Sequence, residues 1–407
     1  MRILSIETSC DETALSIVRA KGDVENPSFT LLGSALYSQV AIHGKYGGVF
    51  PNLARREHQK NLIPLLGKLL EESNFKINDS RLKIIEEWDT KNKEKISDIL
   101  TREPELLSQF LEFIPTIQKP DIDAISVTYG PGLEPALWVG INFAKALSCV
   151  WNLPLVPINH MEGHIASVLL LNTEEVKSQS EESAKLKTKI EFPALALLIS
   201  GGHTELVHIQ DWTKYKVIGQ TVDDAVGEAF DKVARMMNLP YPGGPHISAL
   251  AEISRTDTES HADRHQKYKL PRPMIHSKDF NFSFSGLKTA VLYLIKKIAP
   301  LQEEDRKEIA REFEDSVTEV LVTKTRKALE KYAAKTLIIG GGVIANTHLR
   351  TEFEKVIKDF PETSLLIPKH SLTTDNATMI ALAGYIRILK NKIPNVDNLK
   401  AEGNLKL

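Results

Sequence analysis

The sequence predicts a duplicated α/β architecture, two successive halves in which strands lead into helices, with a ligand cleft between the halves. Three observations carry that expectation. Short apolar runs that read as buried strands alternate with segments of helical periodicity. The pattern begins at Arg2 and restarts at Ala194. Glycine-rich turns come directly after buried strands, where open α/β sheets bind ligands.

In the first half, residues 2–7 and 13–18 read as strands. Residues 61–73 read as a helix with Pro64 in its first turn and Leu62, Leu65, Leu66, Leu69 and Leu70 on one side. Residues 124–128 form another strand, followed by Gly130-Pro131-Gly132 and a helix through Val150. Residues 155–157 are extended and lead into a helix that carries two histidines. In the second half, residues 194–199 and 205–209 are strands joined by a turn at Gly201-Gly202. Helices are expected at 248–253, 289–298 and 306–331, a strand at 337–339 ending in Gly340-Gly341-Gly342, and a helix from Thr347. A strand at 364–367 and a helix at 376–389 close the pattern. The expected division is 1–160 for the first lobe, with a helical insertion at 76–119, and 161–375 for the second, with a polar loop at 172–189. Residues 376–407 would pack back toward the first lobe.

A chain of 407 residues with 42% hydrophobic and 26% charged residues has the composition of a soluble globular protein. Its net charge of −2 gives no bulk attraction for nucleic acid. RNA contact would need a local patch such as Arg55-Arg56-Glu57-His58-Gln59-Lys60 or the stretch from Arg264 to Arg272. Cys10 and Cys149 are the only cysteines, so no disulfide framework is implied and a reducing compartment is expected. No run of ~18 apolar residues is present, so no membrane span is expected. The chain opens on a strand without a secretory or amphipathic leader, as for a cytosolic protein or one whose transit peptide has been cleaved.

His160-Met161-Glu162-Gly163-His164 places two imidazoles four residues apart, on one side of a helix, where both can reach one metal ion. Glu162 lies about 200° around the helix from His160 and faces away. In the zinc-protease signature the glutamate directly follows the first histidine and acts as base. The order found here therefore argues against a metal-dependent protease, the alternative that the paired histidines raise.

Ser200-Gly201-Gly202-His203-Thr204 could bring backbone N–H groups to phosphate oxygens, or be a tight hairpin. Gly340-Gly341-Gly342 could press against a ring or ribose; Asn346 beyond it is either a ligand contact or a helix cap. The absence of Gly-Lys-Ser/Thr excludes a Walker A loop. Asp223, Asp224, Glu228 and Asp231 read as one acidic helix before Tyr241-Pro242-Gly243-Gly244-Pro245, and one of them could accept hydrogen bonds from a ribose or an amine. Lys232 and Lys288 could neutralise phosphate or be surface charges. Glu7-Thr8-Ser9-Cys10-Asp11-Glu12-Thr13 places a polar, acidic turn between two strands, a hairpin that could hold a metal–phosphate unit or a base. Asp375 could cap the last helix or complete the metal site.

Taken in order, Ile6-Glu7-Thr8-Ser9-Cys10-Asp11-Glu12-Thr13, His160-x-Glu162-x-His164, Ser200 to Thr204, Gly227-Glu228-Ala229-Phe230-Asp231-Lys232, Tyr241 to Pro245, Phe282-Ser283-Phe284-Ser285-Gly286-Leu287-Lys288 and Thr374-Asp375-Asn376 resemble the universal tRNA threonylcarbamoyladenosine synthase family. The resemblance runs from the first strand to the last helix and is interrupted by the two insertions. It implies an actin-like, sugar-kinase/Hsp70-like fold of two ribonuclease-H-like lobes with a nucleotide cleft. It implies transfer of threonylcarbamoyl from threonylcarbamoyl-AMP to N6 of the adenosine 3′ of the anticodon in tRNA. By the same resemblance His160, His164 and Asp375 would bind one divalent metal, zinc or iron, with Asp375 reaching it from the opposite lobe. Leu198, Ile199, Ser200, Gly201, Gly202, Glu228, Asp231, Gly244 and Asn346 would contact the threonylcarbamoyl-AMP, ATP or AMP ligand. Asp11 or Glu12, by position, would accept the N6 proton. The implied partners are tRNA, the enzyme that supplies threonylcarbamoyl-AMP, and a second copy in a homodimer, with a mature mitochondrial form preferred over a cytoplasmic one.

Overall fold

The computed structural model describes residues 1–73, 90–172, 190–259, 267–396 and 398–407. Residues 173–189 of the expected 172–189 polar loop and the 76–89 portion of the insertion lie outside the described residues. The chain divides into two compact units. The first comprises Met1–His43, Val49–Lys189 and Asp375–Leu407; the second comprises Gly44–Gly48 and Ile190–Thr374. These boundaries differ from the expected 1–160 and 161–375: the two-histidine helix and Asp375 both belong to the first unit.

The first unit holds a five-stranded sheet of β1 (Arg2–Glu7), β2 (Glu12–Lys21), β3 (Ser28–Ser38), β4 (Ala124–Gly130) and β5 (Leu155–Asn159), in the order β3-β2-β1-β4-β5. β1 pairs antiparallel with β2 and parallel with β4. The second unit repeats this plan with β6 (Ala194–Ile199), β7 (Thr204–Asp211), β8 (Lys214–Gln220), β9 (Thr336–Gly340) and β10 (Ser364–Leu366), ordered β10-β9-β6-β7-β8. β6 is antiparallel to β7 and parallel to β9, as β1 is to β2 and β4. The same order and directions occurring twice bear out the duplicated, ribonuclease-H-like fold class.

β3 and β8 are not among the strands expected from the sequence, because both are edge strands of mixed exposure with no clean apolar period. Four helices start earlier than periodicity suggests, those expected at 289 and 306 beginning at Ser285 and Glu303 and two others earlier still. The expected 61–73 helix spans Pro51–Glu72, with Pro51 in its first turn and Pro64 inside. Pro64 has no N–H for the Lys60 carbonyl, which instead accepts from Gln109 Nε2 at 3.4 Å. The expected 248–253 helix spans Gly243–Glu259, so the second half of the Tyr241 to Pro245 motif is helical. The described part of the insertion is helical, at Thr90–Ile99 and Pro104–Phe113. Its Ile96, Leu100, Leu106 and Phe110 belong to the first unit's core, where Phe110 meets Phe143 edge-on at 6.2 Å. Burial of that kind makes it part of the unit rather than an appendage.

In the second unit, Gly341 has φ +97°, and a Cβ there would lie 2.4 Å from the Ile199 carbonyl oxygen. Gly342 faces open space. We expect Gly341→Ala to destabilise the second unit by about 1–3 kcal/mol through backbone strain, while Gly342→Ala stays within about 0.5 kcal/mol of wild type. Hydrogen exchange of the β6 and β9 amides measures both.

Candidate functional site

The metal-ligand candidates are built by β5 and by the N-terminus of the last helix. Asn159 ends β5 and caps the His160–Ala166 helix, its Oδ1 accepting from Met161 N at 2.8 Å. On this helix the His160 and His164 rings meet edge-on, with centroids 4.7 Å apart. The last helix, Ala377–Leu389, is capped by Asn376, whose Oδ1 accepts from Met379 N at 3.0 Å. Asp375 is therefore not the cap and turns toward the histidines. Its Oδ1 lies 3.3 Å from His160 Nε2 and 3.3 Å from His164 Nε2. All three ligands come from the first unit, which corrects the expectation that Asp375 reaches across from the second lobe.

The donor set fits a divalent cation. Both ring nitrogens of His164 are buried without a hydrogen bond, an arrangement that costs free energy unless something binds them. One ligand atom from each residue lies within 4.8 Å of the others. Two imidazoles and a carboxylate suit zinc or iron and leave positions open for substrate. Burial by itself would raise Asp375, but the two imidazoles hold its carboxyl well below the usual range. Burial opposes protonation of His160, yet Asp375 and Glu7 together carry it well above the ordinary histidine value. A cation would replace the proton held on the Asp375 side of that ring.

Glu7 and Ser9 lie in the polar turn that the sequence singles out but are not among the expected site residues; both reach His160 Nδ1, at 3.1 and 3.2 Å. Their sequence separation from it, beyond 150 residues, hides the contact from local pattern reading. Glu162 is buried and accepts from Arg387 Nε at 2.6 Å, an ion pair that ties the histidine helix to the last helix. That pair faces away from the metal ligands, as the helical offset requires, and removes Glu162 from the role of a protease base.

The acidic turn sits between β1 and β2. Asp11 is buried; burial, the neighbouring Asp11 and the charge of Asp375 push Glu12 up to about 10. A carboxyl so raised is protonated at neutral pH and donates a hydrogen bond rather than accepting a proton.

In the second unit the expected nucleotide turns come together. Ile199 and Gly340 end the adjacent parallel strands β6 and β9, so their glycine turns leave the same end of the sheet. The Val226–Met236 helix starts against the first turn, where a Cβ on Gly227 would lie 2.6 Å from the Ser200 carbonyl oxygen. Asp231 on that helix accepts from Gly243 N at 2.6 Å and so anchors the next helix beside it. Gly201, Gly202, Gly244 and Gly342 present open faces.

Other expected contacts have local duties. Leu198 and Ile199 are buried in β6 and offer no side chain to a ligand. Ser200 closes its turn, its Oγ accepting from His203 N at 3.1 Å. Asn346 is the cap of Thr347–Ile357, accepting from Leu349 N at 2.9 Å and donating to Ser248 Oγ and Glu314 Oε1 at 2.7 and 2.5 Å. Its amide is spent within the protein, so the capping alternative describes it. Asp223 and Asp224 precede the helix that was expected to carry them. Asp224 pairs with both Lys232 and Lys288, at 2.9 and 3.0 Å, and Glu228 pairs with Lys232 at 2.7 Å, so neither lysine is an uncommitted phosphate ligand.

The two basic stretches fare similarly. Arg55 is near Glu103 at 3.8 Å, while Arg56 and Lys60 are exposed. Arg264 lies outside the described residues; Lys267 pairs with Asp305, and Arg272 with Glu312 and Glu319. His58 within the first stretch is wholly buried. Its Nε2–H donates to the Cys10 carbonyl at 3.0 Å, and its Nδ1 accepts from Thr13 Oγ1 at 2.7 Å. It thereby holds the acidic turn on the Pro51–Glu72 helix.

Burial depresses His58 to about 4, outweighing the Cys10 carbonyl and Glu7, with His43 acting in the same direction as burial. The unfolded chain, with the ordinary value of 6.5, therefore binds more protons than the folded chain between these pH values. His58's contribution is complete above pH 6.5 and disappears as pH falls toward 4, a change of about 3 kcal/mol. The stability advantage of wild type over His58→Gln should shrink by that amount between pH 7 and 4 in denaturant unfolding. A pH-independent difference would contradict this.

Comparison with known proteins agrees with these motifs. A family model described as TsaD, tRNA N6-adenosine threonylcarbamoyltransferase, matches residues 30–82 and 104–382. The break falls in the expected insertion. The tRNA N6-adenosine threonylcarbamoyltransferase of Thermosipho melanesiensis is 40% identical over 385 residues, covering 95% of this chain and 94% of its own. That of Bacillus licheniformis is 38% identical over 389 residues, covering 95% and 92%. That of Nitrosomonas eutropha is 38% identical over 412 residues, covering 100% and 99%. Among solved structures, full-length HypF in its phosphate- and nucleotide-bound form is similar with a TM-score of 0.45 and 12% identity; the match covers 72% of this chain and 42% of that one. With identity near 40% along almost the whole chain and the family model matching most of it, the chain belongs to the tRNA N6-adenosine threonylcarbamoyltransferase family.

Proposed function

We propose that the chain is a metal-dependent acyltransferase that moves threonylcarbamoyl from threonylcarbamoyl-AMP to N6 of the adenosine 3′ of the anticodon, position 37, in tRNAs that read ANN codons. The observation that carries this reading, in a chain of this family, is the His160–His164–Asp375 group, in which both imidazoles are buried, Asp375 is half-buried and the ring nitrogens of His164 make no hydrogen bond.

The N6 nitrogen attacks the carbamoyl carbon, the bond from that carbon to the phosphate oxygen breaks, and AMP leaves with the electron pair. Because AMP is already a good leaving group, the protein's task is mainly orientation and charge stabilisation. The open faces of Gly201, Gly202, Gly244 and Gly342 let backbone lie against the AMP half. Asp231 accepts a ribose hydroxyl while one of its oxygens holds Gly243 N. Asp11 takes the proton released from N6, and Glu12, kept protonated, donates to a neighbouring oxygen. His160, His164 and Asp375 would hold one divalent ion, zinc or iron, which supplies Lewis-acid stabilisation of an oxygen of the donor.

The implied partners are tRNA and the enzyme that makes threonylcarbamoyl-AMP. A homodimer and a mitochondrial location complete the proposal. Light scattering and cell fractionation test these two points.

The full chain, incubated with threonine, bicarbonate, ATP, an enzyme that makes threonylcarbamoyl-AMP and unmodified tRNA, should yield threonylcarbamoyladenosine on nucleoside analysis. Asp375→Ala should lower the rate by at least about 100-fold, the scale of losing about 3 kcal/mol of transition-state stabilisation. Cleavage of a sialoglycoprotein by the zinc-loaded protein, with Asp375→Ala still modifying tRNA normally, would favour the protease and sink this reading.

A further inference from the structure

We infer that Glu7 is a positioning residue for the metal site: its carboxylate fixes the His160 ring with a proton on Nδ1, leaving Nε2 to bind the ion. The inference rests on the metal reading above and concerns which atom of His160 is available to the metal.

Glu7 ends β1 and is fully buried, 153 residues from His160 in sequence. Three donors converge on its carboxylate. Ser9 N reaches Oε1 at 2.6 Å, while Thr128 Oγ1 and His160 Nδ1 reach Oε2 at 2.5 and 3.1 Å. The strand end, the turn after it and the neighbouring β4 thus hold the carboxylate in place. An ionised carboxylate only accepts, so the hydrogen between it and the ring belongs to Nδ1. The other nitrogen, 3.3 Å from Asp375 Oδ1, then carries the lone pair that a metal needs. No second carboxylate orients His164: its ring nitrogens make no hydrogen bond, Nε2 lies 3.3 Å from Asp375 Oδ1, and the edge-on His160 ring packs against it.

The hydrogen-bond pattern gives this role a sharp signature. Replacing Glu7 by Gln changes volume very little, but its amide has one acceptor and one donor end. Ser9 N is a backbone donor and cannot reverse, so the amide oxygen must occupy the Oε1 position. The NH2 group is then left facing Thr128 Oγ1 and His160 Nδ1. The hydroxyl can turn to accept, so the variant keeps its internal hydrogen bonds. The ring, now accepting at Nδ1, must carry its proton on Nε2, where it blocks the metal. Ser9 Oγ, 3.2 Å from the same Nδ1, is the rival anchor. A hydroxyl can accept or donate and so does not dictate the tautomer.

The test titrates metal-free full-length protein with Co²⁺ alone, reading visible absorption with a competing chelator, after circular dichroism and thermal melting confirm the fold of each variant. Glu7→Gln should bind Co²⁺ about 10–100-fold more weakly than wild type, with the metal-free melting temperature nearly unchanged. Ser9→Ala should lose less than about threefold, since the carboxylate still holds the ring. In the Zn²⁺-loaded, ¹⁵N-histidine-labelled wild type, a hydrogen-bonded proton should be coupled to Nδ1 of His160; in Glu7→Gln it should be absent. Equal Co²⁺ affinity in wild type and Glu7→Gln overturns the inference, as does a larger loss in Ser9→Ala. Should Glu7→Gln fail to fold, Thr128→Val removes one of the three donors and should weaken Co²⁺ several-fold, about 3–10 times; unchanged affinity there also overturns it. A folded wild type that takes up no Co²⁺ defeats the metal reading itself, and its own titration curve tells that result apart from failure of the Glu7 role.

Discussion

The first unit depends on how closely the Ala377–Leu389 helix seats on the sheet and on the His160–Ala166 helix. Glycines make the approach possible: a Cβ on Gly163 would lie 2.9 Å from Ile380 Cδ1, and one on Gly384 would lie 3.1 Å from Ser126 Cβ. At such distances neighbours must shift to admit even a methyl group. The Arg387–Glu162 pair fixes the same two helices further along, with Glu162 buried and so dependent on its partner. The consequence is functional. Seating this helix places its N-terminal end, and with it Asp375, beside two histidines more than two hundred residues earlier. The metal-ligand set is thus a product of core packing, and a change that lifts the last helix disturbs the ligands without touching them.

Much of this was legible in the sequence, for identifiable physical reasons. The strands at the centre of each sheet are buried on both faces and read as apolar runs, and the turns that end them need glycine or acidic residues. β3 and β8 escaped because an edge strand, half wet, has no strong period. The start of the Pro51–Glu72 helix escaped because Phe50 precedes it without a side-chain cap. The histidine pair showed itself through its spacing of four. Asp375 could be read as cap or ligand, and the structure separates the roles by giving the cap to Asn376. Asn346 raised the same choice and resolved the other way, since its amide is used by Leu349, Ser248 and Glu314. Glu7, Ser9 and Arg387 act across the fold, so no local pattern carries them.

The duplication explains how one topology supports two kinds of chemistry. β1, β2 and β4 correspond in order and direction to β6, β7 and β9. The turn from Thr8 to Asp11 therefore occupies the place in the first unit that Ser200 to His203 occupies in the second. Gly130-Pro131-Gly132 likewise corresponds to Gly340-Gly341-Gly342. The packing between paired turns is conserved between the units: a Cβ on Gly132 would lie 2.6 Å from the Ser9 carbonyl oxygen, as one on Gly341 would lie 2.4 Å from that of Ile199. In both units a glycine of positive φ lets the turn after the parallel neighbour close onto backbone at the end of the first strand or just beyond it. The geometry is shared while the side chains diverge. Where the second unit keeps glycines with open faces, the first carries Glu7, Asp11 and Glu12, of which Glu7 reaches His160. Strand ends deliver backbone to fixed places, and the residues set on them decide which chemistry each unit contributes.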